Sequence, residues 1–447
     1  MCAETADGVS SQFGMASPEQ LREFGIRLLA SGDIAGAWAV ADALLARDPL
    51  DPAALMLRAQ LAAVTGDERR SRIDARQVWR LHEDPGARYG AAMMVAQSLA
   101  ADGYIQRGQF WLRRAAQSAE TREQKALVAD AFSRLRSRSP LKWSVSLSLR
   151  PSSNINSGSS ETSFANPGLP LLPPELPIPG AQQALSGAEG EFSMDLTWRL
   201  APTATTMTAF HLSLDQTVVH LSSEAKAMAP GLRGSDFDRA DVEIGVTRRW
   251  RPEDNAAIWT FGAFAGHYWS GGEDLANSLR FSIQAERPLG DRTLGFASII
   301  AERQHRLDSG TRSTDQAGLN FGLQHQLAGK DVITLLLGLR DTSSESPGLR
   351  NSAAFLRLGW HKSEPVAGLG LEAWFGLEGR DYPDSPYRPD GGRQDLRITL
   401  DVGVEFTKIQ YMGFSPVLNL SASHVDSNVG LYESRELGVQ IGFRSAF

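Results

Sequence analysis

Eight histidines, at positions 82, 211, 220, 267, 305, 325, 361 and 424, are the residues best suited to proton transfer or metal binding. Their spacing fits no metal site. His220, His305, Asp308, Asp381 and Asp384 have the chemistry for a Ser-His or Asp-His hydrolytic group, but no motif links them, and no enzymatic activity is expected. The glycine-rich piece Gly262-Ala263-Phe264-Ala265-Gly266 lies in an alternating stretch and follows no helix pattern, so it is not a phosphate loop. Cys2 is the one cysteine, which excludes an intrachain disulfide. Lipidation of Cys2 would need an apolar segment ahead of it, and only Met1 precedes it, so the residue is read as incidental. No cofactor is implied.

The elements that must carry these side chains are bounded by composition. A chain of 447 residues suggests two domains, and a net charge of −7 argues against a nucleic-acid partner. The longest apolar run, Val332 to Leu339, is far too short for a membrane helix, so a membrane form has to be a barrel. Residues 1 to 16, read as a disordered N-terminal segment, hold no apolar signal core of roughly 7 to 15 residues; either a secretory leader is missing from this sequence or the chain is not exported.

From Ser17 to Pro140 the chain is rich in Ala, Leu, Arg, Glu and Gln at helical spacing. Gly32-Asp33 recurs as Gly66-Asp67, and Pro18 recurs as Pro52, both at a spacing of 34. That period predicts tetratricopeptide-type repeats, with Ala37, Leu45, Asp48 and Pro49 at the expected small, apolar and closing positions. The second unit runs from Pro52 to about Pro85; a third starts near Gly86, with Gly108 displaced from the strict period. Stacked helix hairpins leave a groove suited to docking a partner segment. Arg113, Arg114, Arg122, Lys125, Arg134, Arg136 and Arg138 read as a solvated basic face.

After Pro140 the period switches to two. Trp143, Val145, Leu147 and Leu149 alternate with polar residues, and so do Leu396, Ile398, Leu400, Val402, Val404 and Phe406. About 14 strands are predicted over 141–447, near 142–150, 191–200, 204–214, 237–249, 256–269, 277–287, 291–303, 314–327, 331–341, 352–362, 366–379, 393–407, 412–424 and 435–447. Connections alternate between short ones, such as Pro288 to Gly290, and longer ones at 151–190, 215–236, 270–276, 304–313, 342–351, 380–392 and 425–434. This asymmetry predicts an outer-membrane barrel with its short turns and both its ends in the periplasm. The helical domain then hangs in the periplasm too. Glu191, Asp195, Arg199, Arg280, Glu286, Asp395, Arg397, Asp401 and Glu405 would line a wet lumen, and Trp143, Trp198, Trp250, Tyr268, Trp269 and Trp360 an aromatic girdle. The proline-rich tract Pro167 to Pro179 is a semi-rigid part of the first outer loop rather than a polyproline ligand.

The last strand, Arg435 to Phe447, puts Leu437, Val439, Ile441 and Phe443 on one face and ends on Phe447. It resembles the terminal recognition strand that the barrel assembly machinery reads in outer-membrane proteins. Directly after the first strand stands Pro151-Ser152-Ser153-Asn154-Ile155-Asn156. Following tetratricopeptide units, this motif resembles the start of the barrel in the surface lipoprotein assembly modifier (Slam) family. The resemblance implies an α plus all-β chain: a periplasmic helical solenoid followed by a 14-stranded outer-membrane barrel that helps lipoproteins or related secreted proteins reach the cell surface. Outer-membrane lipid, the assembly machinery and a client protein are the expected partners, and the chain is expected to be a monomer. An exopolysaccharide export porin with tetratricopeptide repeats and a passive porin are the alternatives.

Overall fold

In the computed structural model, residues 17–166, 173–253, 257–388, 391–409, 411 and 414–445 are described. The chain divides between Ser139 and Pro140 into two compact units. Cys2 and Phe447 lie outside the described residues, as does the 167–172 part of the proline-rich tract.

The first unit is a series of helix hairpins: α1 (Pro18–Ser31), α2 (Ile34–Arg47), α3 (Pro52–Val64), α4 (Glu68–Leu81), α5 (Pro85–Ala101), α6 (Ile105–Ser118) and α7 (Arg122–Arg138). Each odd-numbered helix from α1 to α5 starts on proline behind Ser17, Asp51 or Asp84, whose side chain takes an orphan amide of the first turn. Gly32 and Gly66, both at φ 83°, turn the chain in the left-handed region. Asp33 and Asp67 then cap α2 and α4 by accepting from Gly36 and Arg70. In the third hairpin the equivalent turn is Gly103-Tyr104, not Gly108: Gly103 has φ 79°, and Tyr104 provides no side-chain cap. Gly108 lies within α6, where a Cβ would come 2.8 Å from Leu135 and 3.3 Å from the Ala96 carbonyl. Ala37 is fully buried with Ala41, Leu57 and Leu61, and Pro49 sits in the turn between α2 and α3. Arg58 and Asp74 pair at 2.7 Å between α3 and α4.

The second unit is a closed antiparallel barrel of 14 strands: β1 (Leu141–Ser152), β4 (Gly187–Arg199), β5 (Thr206–Leu221), β6 (Arg239–Trp250), β7 (Ile258–Ser270), β8 (Glu273–Gly290), β9 (Thr293–Arg306), β10 (Thr314–Gln326), β11 (Val332–Ser344), β12 (Asn351–His361), β13 (Leu369–Tyr382), β14 (Arg393–Phe406), β15 (Phe414–Ser427) and β16 (Ser434–Ser445). Two short strands, β2 (Ser163–Ala165) and β3 (Glu175–Pro177), pair within the first loop, and a short helix, α8 (Ser223–Met228), sits in the second. Closure comes from β1 pairing with β16, where Leu149 faces Ile441 and Ser152 faces Gly438. No barrel strand is left as an edge.

The connections differ from the expected pattern. The loop expected at 270–276 is a two-residue turn, Gly271-Gly272, with both φ values positive at 61° and 86°. β5 runs on to Leu221, and β9 to Arg306. On β9 the strand stays paired after its outward side chains turn polar at Arg303 and His305, and on β5 the outward Gln216 breaks the apolar alternation ahead of Val218, so the hydropathy signal fades before the strand ends. The asymmetry therefore rests mainly on the loops 153–186 and 222–238. Connections such as 307–313, 345–350 and 428–433 are close in length to 200–205 and 362–368 on the other side.

Candidate functional site

Alternation gives the barrel two unlike walls. Outward ladders run across neighbouring strands in phase: Phe321 faces Leu337, which faces Leu356, and Leu323 faces Leu335, which faces Leu358. On β16, Leu437, Val439, Ile441 and Phe443 are 69%, 42%, 58% and 55% exposed, an arrangement that water would penalise by about 25 cal/mol for each Å². On β10 the outward polar residues Asp315 and His325 bracket Ala317, Leu319, Phe321 and Leu323. Ten residue steps span about 33 Å along a strand, or about 25 Å once the strand tilts by ~40°. Trp143, Trp198, Trp250 and Trp360 stand at the ends of their strands toward the short connections, with Trp259 opposite Trp250. Trp269 is at the other end of the barrel, and Tyr268, one residue out of phase, faces inward rather than joining a girdle.

The inner wall carries the charges. Arg280 reaches Glu243 at 2.6 Å, Arg340 reaches Glu378 at 2.8 Å, and Arg444 reaches Glu372 at 3.3 Å. Each of these pairs bridges over at least one intervening strand. At those levels the intervening strands present small residues: Gly266 under the first pair, Ala353 under the second and Gly403 under the third. Arg249 pairs with Glu286 across β7 in the same way. Inward aromatic rings lie on glycines of neighbouring strands: Phe264 on Gly245, Phe296 on Gly322, Phe355 on Gly338 and Trp374 on Gly359. A lumenal cavity of about 400 Å³ is lined by Arg150, Glu191, Glu372, Trp374, Asp401 and Arg444.

The motif Pro151 to Asn156, expected just after the first strand, begins within it, because Pro151 and Ser152 are the last residues of β1, and it builds the closing seam and the loop above it. Arg150 holds Glu189 and lies 3.5 Å from Glu191 on β4, and 3.1 Å from Glu436 on β16. Pro151 faces Ala188 in the β1–β4 ladder. Ser152 Oγ donates to Glu436 at 3.3 Å, and the Ser153 hydroxyl accepts from the Leu437 amide at 2.9 Å. Asn154 exchanges two hydrogen bonds with the Gly158 backbone. Asn156 donates to the Gln183 and Ala181 carbonyls and accepts from the Leu185 amide at 2.9 Å. Ile155 anchors a small core with Leu185, Val219, Leu221, Ala225 and Ala229. From there the loop crosses the seam: Ser159 Oγ donates to the Gly430 carbonyl at 2.7 Å, and the Ser160 amide to Glu433 at 2.8 Å. Arg393, with Tyr382 and Tyr432 rings at 3.6 and 3.7 Å, packs the neighbouring loops. The terminal strand continues the belt beside this seam: on its β15 side Val439 faces Leu420, Ile441 faces Leu418 and Phe443 faces Pro416.

The residues that could have formed a hydrolytic group are not brought together. His220 and His305 lie on different strands, β5 and β9. Asp308 is held by Arg306 at 2.6 Å, and that hydrogen bond pulls its carboxyl down to about 2. Asp384 pairs with Arg350 at 3.2 Å, and Asp381 accepts from Gln394 at 3.4 Å. Among the described residues no cluster of three or more His, Cys, Asp or Glu could hold a metal, and no helix is long and apolar enough to cross a membrane.

No family model matches the chain, and no curated protein matches it. Among solved structures, OccAB3 of Acinetobacter baumannii aligns with 68% of this chain and 99% of its own, at 9% identity and a TM-score of 0.34. A loop-deletion form of OmpT, an outer membrane protein of Vibrio cholerae, aligns with 69% of this chain and 99% of its own, at 7% identity and a TM-score of 0.36. The TPR2B domain from the yeast Sti1 complex with pHsp70 aligns with 27% of this chain and 98% of its own, at 15% identity and a TM-score of 0.25.

Proposed function

We propose that this protein is an outer-membrane translocation or assembly accessory, whose periplasmic helical unit receives a lipoprotein or related secreted client and whose barrel helps it to the cell surface. The observation that carries this reading is the pairing of two features in one chain. A barrel with an exposed apolar outer belt and a charged inner wall is joined, at the short-connection end of β1, to helix hairpins whose first two Gly-Asp turns recur at a spacing of 34 residues. The outer belt suits hydrocarbon, where a closed barrel is the strand architecture that leaves no backbone group unpaired. The inner wall suits water. Because β1 begins and β16 ends on the short-connection side, the helical unit belongs to the periplasmic side in this reading. The Slam-like motif, now seen as the closure of the seam and first loop, supports the same assignment.

No nucleotide-binding motif is present in the sequence, so client folding or capture outside the cell would drive the transfer. Deleting residues 17–139 tests the docking role. The deleted form should keep a heat-modifiable barrel in the membrane and lose client display, and display that survives the deletion removes the docking role.

A further inference from the structure

The helical unit gathers guanidinium groups, two of which have no carboxylate partner among the described residues. Trp79 of α4 and Trp111 of α6 meet edge to face at 5.5 Å. Arg114 stands 4.6 Å from both indole rings and 4.5 Å from Phe110. Arg76 lies 5.7 Å from the Trp111 ring, and Arg88 5.6 Å from the Trp79 ring. Arg72 has its carboxylate, Asp102, and Arg88 donates to the His82 carbonyl at 2.6 Å. Arg76 and Arg114 have no ion-pair partner among the described residues, and Arg76 Nε is buried without a hydrogen bond. Burial, followed by repulsion from Arg72, Arg80, Arg107 and Arg114, pushes the Arg76 guanidinium below its usual range, and burial does the same to Arg114.

Packing like charges beside one another with a buried donor left open is unfavourable unless an anion completes the site. The indole faces offset part of that cost by holding the cations, and a guanidinium offers a carboxylate a bidentate fork. The patch also runs against the sign of a chain whose net charge is −7. We propose that the surface between α4 and α6 receives the carboxylates of an acidic polypeptide segment, with Arg76 and Arg114 as the binding residues and Trp79 and Trp111 as their platform. This names the chemistry of the docking step and rests on the client-receiving role. A carboxylate-bearing peptide, rather than free phosphate, fits a site with aromatic surface at Phe110 beside the cations.

The test uses the full chain in detergent micelles, with a fluorescein-labelled hexaglutamate peptide followed by anisotropy at low and high salt. Binding should weaken with salt. It should fall by about tenfold or more in the Arg76→Gln/Arg114→Gln double variant, which loses two charge-assisted contacts. Arg134→Gln, which removes an exposed arginine already paired with Asp130, should change binding less than about twofold. Equal binding by the double variant and the unaltered chain would overturn the proposal, as would inorganic phosphate or phosphatidylglycerol vesicles displacing the peptide at lower anion concentration than unlabelled hexaglutamate. A measurement on the unaltered chain guards against misfolded variants: hexaglutamate should raise the melting temperature of the helical signal and hexalysine should not. No such rise overturns the proposal whatever the variants do. In cells, client display that persists in the double variant but disappears on deletion of residues 17–139 removes this site and leaves the docking role intact.

Discussion

Arg150 on the first barrel strand and Glu436 on the last meet at 3.1 Å across the closing seam, although 286 positions separate them. The same guanidinium holds Glu189, which is only 1% exposed, and approaches Glu191 on the other side. One cation thus ties three strands together where the barrel closes. Replacing Arg150 by Ala leaves three carboxylates facing one another, with Arg239 at 3.4 Å as the remaining ion-pair partner of Glu189 among the described residues. Breaking a buried pair from one side costs about 3 kcal/mol or more. The Arg150→Ala barrel should unfold at lower urea concentration in micelles than the unaltered one, and Glu436→Gln should lose less. An unchanged midpoint for Arg150→Ala would show that the seam does not depend on this network.

Gly245 is positioned for close approach: an added Cβ would come 2.1 Å from one Phe264 ring carbon and 2.8 Å from the ring's root carbon. Gly245→Ala should therefore destabilise the barrel by about 1–3 kcal/mol, the usual range for overpacking. Adding Phe264→Leu should recover much of that loss. Heat-modifiability measured against temperature reads both variants, and additive losses in the double variant would contradict the ring-on-glycine packing.

Asn156 makes its hydrogen bonds within the first loop rather than with the barrel wall. Asn156→Ala should leave the barrel heat-modifiable while residues 157–166 and 173–186 become more open to proteolysis. Limited proteolysis followed by mass mapping checks this, and an unchanged cleavage rate would mean that the loop is held without the motif.

The helix hairpins differ in their caps. Asp33→Ala and Asp67→Ala should each cost about 1 kcal/mol of helical stability, the usual worth of a side-chain cap. Tyr104→Asp should instead add a cap that the third hairpin lacks and raise the melting temperature of the helical signal. A lower melting temperature for Tyr104→Asp would show that the Arg107 contact with the Tyr104 ring, at 5.3 Å, outweighs the missing cap.

Much of the fold was legible because period two and period 3.6 each persist over long stretches, and the belt residues of β10, β12 and β14 alternate without interruption. The signal faded where outward residues turn polar above the belt. Glu273 and Asp274 look like loop residues, yet they pair with Ser270 and Trp269 in the β7–β8 hairpin. The third repeat turn is hard to place from sequence because Gly103 follows Gly66 by 37 residues and not 34, and Tyr104 stands where aspartate stands in the first two. Contacts set by closure were hidden for another reason: nothing local marks Arg150 as the partner of Glu436, and only the register of β1 against β16 aligns them. Arg114 read as part of a solvated basic face, because neither spacing nor composition shows that Trp79 and Trp111 converge on it.

The central claim is a barrel that spans the outer membrane with the helical unit on its periplasmic side, and single cysteines test it most directly. In a Cys2→Ser background, Arg312→Cys in the connection after β9 and Arg134→Cys on α7 would be exposed to a membrane-impermeant maleimide in intact cells. The account predicts labelling at 312 in intact cells and at 134 only after the outer membrane is permeabilised. Labelling at 134 in intact cells, or protection of 312 there, would contradict it.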